Sequence, residues 1–116
     1  MREVRIPSEH DFARARIAVN QHLQPTRLMP LPDNRFLKLE SRQPVGAFKV
    51  RGAIAALSRL PAGANIVTAS AGNHAIGIAW SAQKLEQKAT IVVPETVSPA
   101  KLEILQEMQA AIVQVG

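Results

Sequence analysis

Three short apolar runs, Asn65–Ser70, Ala89–Val93 and Ala111–Val115, alternate with stretches whose apolar residues recur at helical spacing. No other feature restricts the fold as much. Strands that alternate with helices at this spacing form right-handed crossover units and a parallel sheet, so the chain is predicted to be α/β. Aromatic residues are only 3% of a chain that is 47% hydrophobic, so the core must be built from Ala, Ile, Leu and Val. That composition suits helices packed on a parallel sheet.

Around those runs the punctuation is readable. Ser8 and Asp11 form a capping-box pattern, and Phe12, Ala15, Val19 and Leu23 continue it, which predicts a helix from about Glu9 to Leu23. Pro25, Pro30 and Pro32 then forbid helix and impose an extended connection ending in a turn at Asp33 and Asn34, followed by a strand from Arg35 to Glu40. Pro44 and Gly46 break the chain again. Phe48 to Leu60 carries Ala53, Ala56, Leu57 and Leu60 on one stripe, predicted to face the sheet, and Pro61 and Gly63 stop it. The turn Ala71-Gly72-Asn73 leads to a helix from about His74 to Leu85. Ser98 as N-cap with Pro99 behind it opens another, through about Met108.

At 116 residues the chain is one small domain by length, enough to bury about two-thirds of its unfolded surface. The net charge of +5 is unevenly placed: up to Leu60 there are eleven Lys/Arg against five Asp/Glu, and after it three against four. The N-terminal arginines lack the interleaved aromatics and motifs of nucleic-acid binders, so they are read as a solvated or partner-facing helix surface. The lack of cysteine excludes disulfides, thiolate metal sites and cysteine nucleophiles. His10, His22 and His74 are not at metal-ligand spacing, so no metal is expected. Met1 is followed by charged residues without an apolar run, and a cytoplasmic protein is the default expectation.

Two stretches carry the chemistry. In GAFKVRGA, Gly46 to Ala53, Lys49 lies between Phe48 and Val50 just ahead of an apolar helical pattern, where partial desolvation would keep its amine neutral enough to act as a nucleophile. In TASAGNHA, Thr68 to Ala75, Asn73 sits in a small-residue turn between strand and helix, where backbone donors and a helix N-terminus suit an anion. Together these predict a lysine amine and an asparagine amide at one pocket, able to handle an aldehyde cofactor. His74 is read as a first-turn polar residue, with a supporting role behind the site as the alternative, Trp80 as a packing residue, and Arg51 as holding the following loop, with service at the site as the alternative.

In this order the stretches resemble the fold type II family of pyridoxal-phosphate enzymes, most closely the threonine/serine dehydratases, with serine racemase as a near relative. The likeness covers LQPTRLMPLP, LKLESRQPVGAFKVRGA, TASAGNHAIGIAW and ATIVVPETVSPAKLEIL, which is most of the chain. The resemblance implies pyridoxal 5'-phosphate as cofactor and a small hydroxy amino acid as substrate. Lys49 would hold the cofactor through its amine, be displaced by the substrate amine and then take the Cα proton. Phe48 would pack on the cofactor ring and Asn73 would hydrogen-bond its phenolic oxygen. Ser70 and the backbone N–H groups of Ala71, Gly72 and Asn73 would bind the substrate carboxylate. Loss of the β-hydroxyl would then release a 2-oxo acid and ammonia.

The departures from the family pattern matter. Ala47 stands where Ser or Thr is common. Ala71 replaces a serine common in the racemising relatives, which favours elimination. Glu86 and Gln109 occupy helix ends where the family often has Gly, at a cost of roughly 1 kcal/mol each. The family's glycine-rich phosphate cradle would lie beyond Gly116, so this stretch alone is expected to bind cofactor weakly. On this reading residues 1–39 are an N-terminal piece of a larger domain and residues 40–116 a portion of a smaller one. The apolar residues Phe12, Val19 and Leu23 would then be uncovered and self-association expected. A non-catalytic remnant or interaction module, and a β-replacement or racemase member of the family, are the alternatives.

Overall fold

A computed structural model describes residues 5–116. Its parallel sheet contains β3 (Asn65–Ala69), β4 (Lys88–Pro94) and β5 (Ala111–Val115), in spatial order β3-β4-β5. The earlier elements are α1 (Glu9–His22), β1 (Leu28–Pro30), β2 (Phe36–Lys38), a 3-10 turn at Glu40–Arg42 and α2 (Lys49–Leu57). Between the sheet strands run α3 (Asn73–Lys84) and α4 (Pro99–Glu107). Ile66 pairs with Ala89 and Thr68 with Ile91, while Ile91 pairs with Ile112. That register gathers Ile66, Ala89, Ile91 and Val93 on the face covered by Ala75, Ile78, Ala79 and Ala82 of α3 and Leu105 of α4. The α/β expectation holds. Val67 and Val113 point from the opposite face and are exposed.

The predicted apolar stripe of α2 needs correcting. Ala53 and Leu57 are buried in the cluster of the sheet, as expected, whereas Ala56 and Leu60 are exposed and Val50 and Ile54 are buried instead, because α2 packs chiefly on α3 and α1. Val50 and Ile54 form a second cluster with Ala18 and Leu23, flanked by Val19, Val45, Trp80 and Leu85. Leu23 is therefore covered, contrary to expectation, and only Phe12 of the three named residues stands fully exposed. Trp80 is the packing residue the sequence suggests.

The N-cap of α1 forms as read. Ser8 accepts from the Asp11 amide at 3.2 Å and the Asp11 carboxylate accepts from the Ser8 amide at 2.9 Å. One strand is additional to the expectation: β1 pairs antiparallel with β2, Met29 opposite Leu37. Asp33 and Asn34, with φ of 60° and 55°, both take left-handed conformations in the turn that reverses the chain. Two prolines in three residues hide such a strand, although an edge position leaves Pro30's lack of an N–H harmless.

Candidate active site

Lys49 is the first helical residue of α2, and Phe48 before it is an N-cap without a side-chain hydrogen bond. Across from it lies Gly77, in the second turn of α3. A Cβ built on Gly77 would sit 3.4 Å from the Lys49 carbonyl carbon and 3.4 Å from the Val50 nitrogen, ordinary van der Waals distances, so the two helix backbones pass here with room for no more than a methyl group between them. This seam sets the start of α2 beside the start of α3, where Asn73 is the first helical residue and Gly72 the N-cap. Phe48, Lys49, Gly52, Ala53, His74 and Ile78 line a cavity of about 460 Å³ along it. His74, read as a mere first-turn residue, thus shares the cleft of Lys49. Asn73, Ser70, Ala71 and Gly72 are not among its lining residues.

The expected desolvation of Lys49 is not found. Its side chain is exposed, since it projects from the helix beside the buried Val50, and its Nζ lies 5.3 Å from the centre of the Phe48 ring. Phe48 itself is 60% exposed. Lys49 makes no ion pair among the described residues, so no carboxylate holds its ammonium.

The loop after β3 is tied to the sheet by the Ser70 amide, which donates to the Val92 carbonyl at 3.0 Å. The Ser70 hydroxyl accepts from the Gly72 amide at 3.2 Å, so two of the four groups expected to bind a carboxylate are engaged with each other. The helical ladder begins with the Ile76 amide donating to the Gly72 carbonyl. The amides of Asn73, His74 and Ala75 precede it and have no carbonyl inside α3 to donate to. Gly72 supplies no capping side chain, which leaves the positive end of the helix open to an anion.

Glu40 was not singled out by the sequence. Its carboxylate accepts from Arg51 at 2.8 and 2.9 Å, from the Thr26 hydroxyl at 2.6 Å and from Gln43 Nε2 at 3.1 Å. The Arg51 fork, chiefly, and then Thr26 and Gln43, pull the Glu40 carboxyl down from 4.5 to about 2 against the opposing effect of burial. Arg51 is raised in turn. Arg51 grips the segment before the helix, and it also lines the cleft of Lys49.

These features can be set against known proteins. The family described as "Pyridoxal-phosphate dependent enzyme" matches residues 19–116. The chain belongs to that family. It is 41% identical over 95 residues to L-threonine dehydratase biosynthetic IlvA of Burkholderia multivorans, covering 78% of this chain and 19% of the relative. Its fold is similar to threonine deaminase isoform 2 from Solanum lycopersicum, with a TM-score of 0.81 and 29% identity over 92% of this chain and 34% of that one. Maize serine racemase matches with a TM-score of 0.77 and 29% identity, over 90% and 35% of the two chains. The chain spans about a fifth of the length of the curated relatives it matches. The architecture is that of the fold type II enzymes, whose cofactor is pyridoxal 5'-phosphate.

The residues present fit part of that cofactor's needs. Lys49 presents an exposed amine on the cleft that it shares with His74, and the amides at the start of α3 have no acceptor inside that helix. Among the six glycines none forms a run that would cradle a phosphate. Among the described residues no cluster of His, Asp and Glu is placed to hold a metal ion, and no helix is long and apolar enough to cross a membrane.

Proposed function

We propose that this chain is the part of a threonine/serine dehydratase that supplies the cofactor-bearing lysine and the asparagine loop, for elimination of a hydroxy amino acid to a 2-oxo acid and ammonia. The observation that carries the reading is the seam at Gly77, which sets Lys49 against the first turns of α3 in a chain of this family. When bound, pyridoxal phosphate supplies an aldehyde that amines capture and a ring that accepts electrons.

On this reading the free amine of Lys49 would capture the cofactor's aldehyde with loss of water, and, once the substrate amine has displaced it, would take the Cα proton. The exposed ring of Phe48 would offer a flat apolar face for the cofactor. Asn73 would donate its side-chain amide to the phenolic oxygen. Ser70 and the amides of Ala71, Gly72 and Asn73 orient the substrate carboxylate, which requires the Ser70–Gly72 hydrogen bond to open. Residues 1–39 then belong to the larger domain and 40–116 to the smaller, in a cytoplasmic enzyme. The likeness to serine racemase favours racemisation as a second reading, but Ala71 offers no hydroxyl for a base on the opposite face.

Trapping with borohydride after adding pyridoxal phosphate, followed by peptide mapping, tests the lysine. The adduct is expected on Lys49; preferential labelling of Lys38, Lys84, Lys88 or Lys101 would reject the assignment. Oxo-acid release from threonine and serine by the full-length gene product, with Lys49→Ala as control, tests the reaction itself.

A further inference from the structure

We infer that Glu40 is a positioning residue for Lys49, holding the start of α2 from outside the helix. The inference rests on the lysine role proposed above. Four donors from three places converge on this one carboxylate: Thr26 before β1, Gln43 at the head of the loop, and the fork of Arg51 in the first turn of α2. A carboxylate offers about four acceptor positions, so Glu40 is saturated. It has none to spare for the Lys49 ammonium.

The segment between Gln43 and Arg51 carries Phe48 and Lys49 and is gripped at both ends by the same group. Within it, Gly46 takes a φ of +69° and donates its amide to the Gln43 carbonyl at 2.8 Å, while Ala47 and Val50 are buried. The N-cap of α2 has no side-chain hydrogen bond, so the usual device for fixing a helix start is lacking. Glu40 replaces it. A bidentate Arg–carboxylate pair fixes orientation as well as distance, so it resists rotation of the first turn and holds the direction from which the Lys49 stem leaves the helix. Lys38 strengthens the frame by donating to the Thr26 carbonyl at 2.6 Å.

The test compares this chain with Glu40→Gln and Arg51→Lys. Its first readout is hydrogen exchange at the Gly46 and Arg51 amides, with those of Ile91 and Val93 in β4 as reference. The second is the borohydride-trapped labelling of Lys49 by pyridoxal phosphate relative to Lys101, measured well below the melting temperature of each variant. Exchange at Gly46 and Arg51 is expected to quicken about tenfold more than at the reference amides in Glu40→Gln, and less in Arg51→Lys. The Lys49 labelling ratio falls in the same order. Uniform acceleration at all four amides, or a labelling ratio equal to that of the unsubstituted chain, would overturn the inference. If Glu40→Gln proves unfolded by circular dichroism, Arg51→Lys decides by the same two outcomes. Failure of the unsubstituted chain to label Lys49 would refute the lysine role instead, and the exchange pattern would still decide whether Glu40 holds the segment.

Discussion

Asp11 and Glu40 are both drawn down to about 2, yet the two carboxylates do different work. Asp11 owes its shift first to the Ser8 amide, then to the Ser8 hydroxyl, with Arg5 and Arg14 adding charge. All of its partners lie within six residues. Glu40 owes its shift first to Arg51, eleven residues on, and joins it to Thr26, fourteen residues back. Equal titration therefore conceals unequal reach: one group finishes a helix end, the other ties three segments of the chain together.

The largest effect is expected where the reach is longest. Glu40→Ala leaves the Arg51 guanidinium, the Thr26 hydroxyl and the Gln43 amide without their acceptor and should cost about 2 kcal/mol in urea unfolding. The loss should show in the urea midpoint and weigh most on the segment between Gln43 and Arg51. Acid separates the two carboxylates next. The folded Glu40 carboxyl titrates near 2 against an ordinary 4.5, so its stabilising contribution is complete above 4.5 and drains away as the pH falls toward 2. In Glu40→Gln that part of the acid dependence should vanish from the unfolding curve, while Asp11→Asn should remove a smaller part that begins only below 3.8 and should also lower the helicity of α1.

Ser8→Ala should cost roughly 1 kcal/mol, appearing as faster amide exchange in the first turn of α1 with the strands unaffected. Global unfolding of equal size in both variants would erase the contrast. The smallest change concerns a third acidic residue, Glu86, whose φ of 55° strains the end of α3. Glu86→Gly should raise stability by about 0.5 kcal/mol, read from the urea midpoint, because relief of the left-handed strain outweighs the added freedom of the unfolded chain.

Local signals in the sequence carried far. Ser8 and Asp11 act within one turn, and the strands of the sheet are short apolar runs closed by breakers, so both are readable from neighbours alone. The left-handed conformations of Glu86 and Gln109, with φ of 55° and 59°, were anticipated not locally but from the resemblance, since the family often has Gly at these helix ends. What the sequence hid depends on contacts between distant segments. Glu40 looks like any charge until Thr26 and Arg51 are folded onto it, and the burial of Leu23 requires knowing that α1 lies on Val50 and Ile54. Lys49 and the Asn73 loop were legible as motifs, but the residues that share the Lys49 cleft from α3 are His74 and Ile78, which were not read as its neighbours. The exposure of Lys49 was misread because apolar neighbours in sequence are not neighbours in space: Val50 turns inward and Lys49 does not.

The far end of α2 has its own external fastening. Gln87, the last residue of the α3-to-β4 connection, donates its side-chain amide to the carbonyls of Leu57, Leu60 and Pro61 at 3.0, 3.1 and 3.3 Å. Glu40 clasps the beginning of this nine-residue rod and Gln87 its end, so sliding or unwinding from either tip would break these hydrogen bonds. Length changes in the exposed stretch from Ala62 to Gly63 should therefore be absorbed without transmitting movement to the amine, which gives the scaffold tolerance to insertion on one side and rigidity on the other.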